Sequence, residues 1–130
     1  ETSRAIGAAS NRINHVYGSR CFRSEIRSQH HFENVYKYVY RNPVEAGVVE
    51  KVEDYKYSTL AALLGSAHTI IPVADDRVLF ENTGFVLSWL NEAPKETDRL
   101  SVRNGLRRPT FSLAKDRIAR KPNRLETNRY

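Results

Sequence analysis

The chain reads as a mostly helical α+β protein, and three observations predict this. Apolar residues follow the i, i+3, i+4, i+7, i+8 spacing of a helix over 32–40. An alternating stretch over about 20–27 suits one strand. From residue 43 to residue 105, cap residues and glycines bracket a series of short helices. At 130 residues the chain is the size of one ordinary domain. Its 40% hydrophobic and 28% charged residues are globular rather than disordered composition. No apolar run approaches the roughly 20 residues that span a bilayer, so no membrane association is expected.

The elements follow in order. Residues 3–13 have the pattern of an amphipathic helix. Gly18 supplies a turn, after which Cys21, Arg23 and Glu25 alternate with Phe22, Ser24 and Ile26 in the proposed strand. Phe32, Val35, Tyr36, Val39 and Tyr40 form the apolar stripe of the clearest helix. This helix should stop near Asn42, because Pro43 disfavours helical geometry at the residue before it and cannot donate a backbone hydrogen bond. Residues 43–47 then form a short turn closed by Gly47. Ser58 as N-cap and Gly65 just past the end define a buried helix over about 59–64. Residues 69–78 read as a loop or short extended piece. A helix at about 83–91 carries Phe85, Val86, Trp89 and Leu90 on one side, and another covers about 95–105 before Gly105. From Pro109 onward the chain is basic, punctuated by proline and poor in large apolar residues, so it is expected to be extended or disordered without a partner.

Charge is unevenly placed. Residues 1–98 hold 11 Lys+Arg against 13 Asp+Glu, whereas residues 99–130 hold 10 against 2, so the net charge of +6 sits in the last quarter. Such a block points to a polyanionic partner, since each neutralised phosphate releases condensed counterions. A tail that merely keeps the chain dissolved is the plainer alternative. Cys21 is the single cysteine and cannot form an internal disulfide, and the N-terminus lacks the pattern of a secretory signal, which together fit a reducing, cytoplasmic setting. The first residue is Glu and the chain opens directly into a helical pattern, which reads as a start inside a longer protein.

Tyr38 lies about 130° around the helical wheel from the centre of the apolar stripe. Asn34 and Asn42 are its i−4 and i+4 neighbours, giving one helix face an Asn, Tyr, Asn row. Periodicity alone favours an ordinary amphipathic surface, or a tyrosine packing on another element, over a chemical role. Of the four histidines, His30 and His31 are adjacent. On a strand they would face opposite ways, and on a helix they would diverge by about 100°, so they read as helix-start or surface residues. His15 and His68 are isolated. Arg20, Arg23, Arg27 and Arg41 flank the proposed strand and the tyrosine helix, where they could contact phosphates. Arg103, Arg107, Arg108, Lys115, Arg117, Arg120 and Lys121 form the larger electrostatic footprint. Tyr17, Phe22 and Tyr40 could stack on unpaired bases, although core packing is the simpler use of Phe22 and Tyr40. Tyr55 and Tyr57 are assigned to structure, anchoring the chain ahead of the Ser58 helix.

Three blocks carry a resemblance: residues 15–26 (HVYGSRCFRSEI), 38–49 (YVYRNPVEAGVV) and 53–65 (EDYKYSTLAALLG). In order and spacing they resemble the REP-associated tyrosine transposases of the HUH superfamily of single-stranded-DNA nucleases. The likeness spans about residues 3–65 and is looser at 89–96 and 103–111. It implies the helical C-terminal side of a ferredoxin-like domain with an incomplete antiparallel sheet at 1–65, a helical extension at 66–106 and a basic tail at 107–130. It also implies that Tyr38, of the Tyr-x-x-x-Asn-Pro block, attacks a DNA phosphodiester and becomes linked to the 5′ phosphate at hairpin-forming or single-stranded DNA. Asn42 falls where related transposases carry a residue that assists a Mg²⁺ or Mn²⁺ ion. A divalent cation would promote the phenolate of a tyrosine whose pKa is otherwise about 10. The principal ligands of that metal, a His-hydrophobic-His pair on a strand, are not in this sequence. They belong N-terminal to the blocks seen here, so the chain by itself is expected to be inactive. The alternative is a non-catalytic DNA-binding module derived from such a transposase.

Overall fold

The computed structural model describes residues 22–115 and 120–130. In chain order the elements are α1 (Gln29–Glu45), a 3-10 turn (Val52–Asp54), α2 (Thr59–Leu63), α3 (Arg77–Glu81), α4 (Thr83–Asn91), α5 (Glu96–Gly105) and a second 3-10 turn (Arg124–Glu126). About half of the described residues are helical. None of these helices is long and apolar enough to cross a membrane. The helix expected at 3–13 lies outside the described residues.

Among the described residues there is no strand. The described part of the stretch proposed as one, from residue 22 to 27, makes a single parallel bridge between Glu25 and Thr110. Glu25 N donates to the Pro109 carbonyl and Phe111 N to the Glu25 carbonyl, both at 2.8 Å. The ladder goes no further because the neighbouring segment sends Phe111 and Leu113 into the core instead of continuing beside residues 26 and 27.

Helix α1 organises the fold. Ser28 Oγ accepts from His31 N at 3.1 Å and caps its start. Its end is a turn beyond the expected stop at Asn42, with Pro43 inside the helix. Proline removes the donor for the Val39 carbonyl, but Val39 stands on an exposed stretch where water can serve. The Arg41–Glu45 ion pair, at 2.7 Å, spans the proline and holds the last turn. The helix closes at Gly47 (φ +69°), with Gly47 N donating to the Val44 carbonyl and Val48 N to the Pro43 carbonyl, both at 2.9 Å. The same closure ends α2 at Gly65 (φ +76°), and Ser58 Oγ caps its start at 3.3 Å.

Two apolar clusters lie on different sides of α1. One joins Val35 to Val102 of α5 and to Phe111, Leu113, Leu125 and Tyr130, with Ile26, Tyr38 and Leu106 at its margin. The other joins Tyr36 to Val52, Leu60, Leu79, Val86 and Leu90, with Tyr40, Val44 and Trp89 beside it. Each fully buried aliphatic side chain contributes about 1.5–3 kcal/mol. Because α1 is covered on two sides, the stripe expected as its buried face is split. Phe32 and Val39 are exposed, while Asn34, Lys37 and Arg41 are buried between the clusters.

Helix α3 departs from the loop expected at 69–78. Asp76 Oδ1 caps it, accepting from Leu79 N at 2.9 Å, and Leu79 is wholly buried. One turn with one core residue is too short to show periodicity. The segment after Pro109 also differs from the extended tail expected. Its backbone is largely irregular, yet Phe111, Leu113, Leu125 and Tyr130 spend its few apolar side chains in the first cluster. Polar bonds secure it: Arg124 pairs with buried Asp98 of α5, and Asn123 Nδ2 donates to Ser101 Oγ at 3.2 Å. Arg129 Nε lies 2.9 Å from Glu33.

Candidate active site

Tyr38 projects from α1 one turn from Asn42, as the i+4 spacing requires. It is half-buried, packs on the margin of the first cluster, and its ring centroid lies 6.4 Å from that of Tyr130. The Tyr130 phenol has no hydrogen-bond partner among the described residues. Burial above all, then Glu45, holds its pKa above the ordinary range, and Tyr38 adds to the effect, while Arg99 and Arg41 oppose it. Tyr38 thus sits beside a second, buried phenol. Asn42 is exposed.

The third member of the expected polar row is not part of that surface. Asn34 is fully buried: its Nδ2 donates to the Leu125 carbonyl at 3.2 Å, and its Oδ1 accepts from Tyr130 N at 2.8 Å. Periodicity placed Asn34 beside Tyr38 correctly, but the C-terminal segment covers it.

The donors present do not assemble a metal centre. Among the described residues no three His, Cys, Asp or Glu side chains group suitably. His30 Nε2 donates to the Leu125 carbonyl at 2.6 Å, and His31 Nε2 lies 2.9 Å from Glu126 Oε2. Both histidines sit at the helix start, as expected, and hold the C-terminal segment against α1. Asn42 is the one oxygen donor that the resemblance assigns to the metal among the described residues.

The basic residues divide. Arg20 and Arg117, like His15, Tyr17 and Cys21, lie outside the described residues. Arg41, expected to contact phosphates, is instead only 5% exposed, with its donors spent inside the fold. Its Nη1 donates to the carbonyls of Leu90 (3.2 Å) and Asn91 (2.8 Å), capping α4, and its Nε and Nη2 grip Glu45 Oε1. Arg23, Arg27, Arg103, Arg107, Arg108, Lys115, Arg120 and Lys121 are exposed. Arg27 pairs with Glu25 at 2.8 Å, and Arg108 Nη1 donates to Ser112 Oγ at 2.6 Å. The Glu25–Thr110 bridge lays the chain bearing Arg23 and Arg27 beside the chain bearing Arg107 and Arg108. A basic edge therefore forms from two segments far apart in sequence.

The aromatic candidates also divide. Phe22 is 60% exposed rather than a core residue, whereas Tyr40 packs in the second cluster and shares a 2.8 Å hydrogen bond with Thr59. Tyr55 and Tyr57 meet edge to face, but Tyr57 is exposed and anchors little.

Two features escaped sequence reasoning. Lys37 is 1% exposed, with its Nζ 5.3 Å from the Trp89 ring centroid and 5.9 Å from that of Tyr130. Burial lowers its pKa to about 8, with Arg41 adding to the shift and Glu92 opposing it. The clue was available: Asn34, Lys37 and Arg41 are spaced i, i+3, i+7, a polar stripe within one helix. The second is a groove of about 420 Å³ between the start of α1 and α3–α4, lined by residues including Gln29, Arg77, Phe85 and Trp89. No protein-family model, curated protein or solved structure matches the chain.

Proposed function

We propose that the chain is part of a DNA transposase that cuts one strand through Tyr38 and holds a 5′-phosphotyrosine intermediate at hairpin-forming DNA. The observation that carries this reading is the Tyr38-x-x-x-Asn42-Pro43 block on a single helix, with Asn42 exposed one turn from the phenol. It is read together with the resemblance of three consecutive sequence blocks. In the step proposed, the Tyr38 oxygen forms a bond to phosphorus and loses its proton, while the bond from phosphorus to the 3′ oxygen breaks and that oxygen takes up a proton. The Mg²⁺ or Mn²⁺ ion implied by the resemblance would belong to the intact enzyme, with its histidine ligands supplied from outside this sequence.

A second reading, a DNA-binding module that does not cut, is favoured by the exposed basic edge at Arg23, Arg107 and Arg108. One experiment tests both. The chain and its Tyr38→Phe variant are incubated with labelled hairpin DNA and Mn²⁺, then run on denaturing and native gels. A covalent adduct lost in Tyr38→Phe supports the nuclease reading. A salt-sensitive native shift without an adduct fits the binding module and equally a transposase portion that lacks its metal ligands, and the absence of both refutes this chain as a DNA-binding unit by itself.

A further inference from the structure

The groove between α1 and α3–α4 lies apart from Tyr38 and has no part in the proposed chemistry. Its walls combine three kinds of group. Phe85 presents an exposed ring, and the Arg129 guanidinium, 5.9 Å from the Trp89 centroid and held by Glu33, presents a second planar surface. Gln29, Asn82 and Glu81 supply edge-on polar groups, of which the Asn82 oxygen is already engaged in capping α4 at 3.1 Å. Arg77 is exposed and has no ion-pair partner among the described residues. Planar faces, amide and carboxylate edges and one free guanidinium suit a planar heterocycle carrying a phosphate. A volume of about 420 Å³ lies within the common range for a small-molecule site.

From this arrangement we infer that the groove takes one unpaired base of single-stranded DNA, stacked against Phe85 and Arg129, with Arg77 on its phosphate. The inference rests on the DNA-binding reading above. The way in is short, because exposed Arg27 of the basic edge precedes Gln29 at the mouth by two residues. The carboxylate of Glu81 accepts a hydrogen bond from a donor on the edge of the base, an exocyclic amine or the N3–H of thymine. The adjoining depression, which shares Gln29, Arg77 and Val78, carries Asp75 and Asp76, which disfavour any phosphate beyond the one that Arg77 neutralises. One base, rather than a continuous strand, is therefore the occupant.

Trp89 is the single tryptophan of the sequence and reports on this groove directly. Its emission is followed while short oligonucleotides of deoxyadenylate or thymidylate are added to the full chain, with anisotropy of labelled DNA recorded in parallel. The expected result is a saturable change in Trp89 emission with either oligonucleotide, with affinity about tenfold weaker in Phe85→Ala. Because Phe85 is 58% exposed, that variant should retain its fold, which circular dichroism checks; Arg77→Gln, farther from the core, should weaken binding in the same direction. If anisotropy shows binding while Trp89 emission stays fixed, or if Phe85→Ala and Arg77→Gln bind like the parent, the groove assignment is wrong and the DNA reading stands. If anisotropy shows no binding, both fall.

Discussion

Lys37→Met should stabilise the protein, and the gain should fade as pH rises. Lys37 is 1% exposed and its folded pKa is about 8, against 10.5 for the free side chain. Keeping the ammonium charged in the fold at neutral pH therefore costs about 3 kcal/mol. Its contacts with the Trp89 and Tyr130 rings return about 1–2 kcal/mol. Methionine fills a similar volume without charge, so its net gain near pH 7 should be about 1–2 kcal/mol. The sign of the pH dependence follows from proton counting. Between pH 8 and 10.5 the unfolded chain keeps the lysine proton while the folded chain releases it, so parental stability rises with pH, by about 1 kcal/mol at pH 9. Near and above pH 10 stability falls in both proteins, because the folded Tyr36 and Tyr130 phenols hold protons that the unfolded chain releases. Burial is the main cause at both phenols, and at Tyr36 the 2.7 Å hydrogen bond to Asp76 adds to it. Urea midpoints followed by Trp89 emission between pH 7 and 10 test this. A difference between parent and Lys37→Met that does not shrink with pH, or a parental stability that falls from pH 8 to 9, refutes the reasoning.

Three further outcomes are expected. Gly105→Ala would put a Cβ 2.7 Å from Phe111 Cε2 and 3.1 Å from the Ser112 carbonyl oxygen, so it should destabilise by about 1–3 kcal/mol, measured as a lower urea midpoint. Asn34→Ala strands Tyr130 N and removes one of the two donors to the Leu125 carbonyl, which keeps His30 Nε2, and should cost about 1–3 kcal/mol, with faster amide exchange at Tyr130 than elsewhere in the core. Replacing Arg107 and Arg108 together by Ala should lower the slope of log affinity against log salt for single-stranded DNA by about 1–2, whereas an unchanged slope would remove the basic edge from the proposed interface.

Local chemistry was legible where it did not depend on distant chain. Ser58 with Gly65 bracketed α2 to within one residue, Gly47 was correctly placed as a closing residue, and α4 was read at its observed limits of Thr83 and Asn91. Caps and left-handed glycines act within a turn, so sequence suffices for them. The i+4 relation of Tyr38 and Asn42 was equally legible, since any helix through both imposes it. Helix α3 was not, because one turn fixed by a buried leucine has no period to detect.

The tertiary structure decided which side chains are available. By sequence Arg41 resembled the other arginines of the proposed interface, yet the end of α4 and Glu45 consume its donors. Asn34 looked like a surface neighbour of Tyr38, yet a segment some 90 residues later covers it. The C-terminal segment read as loose because its composition is basic. Its place on α1 rests on four apolar side chains and a few polar bonds whose partners lie far away in sequence. Sequence by itself determined helices, caps, the charge block and the spacing of the tyrosine site, all of which arise from residues close along the chain. Burial, the basic edge formed across the Glu25–Thr110 bridge and the groove beside Trp89 arise from long-range packing, which only the folded arrangement specifies.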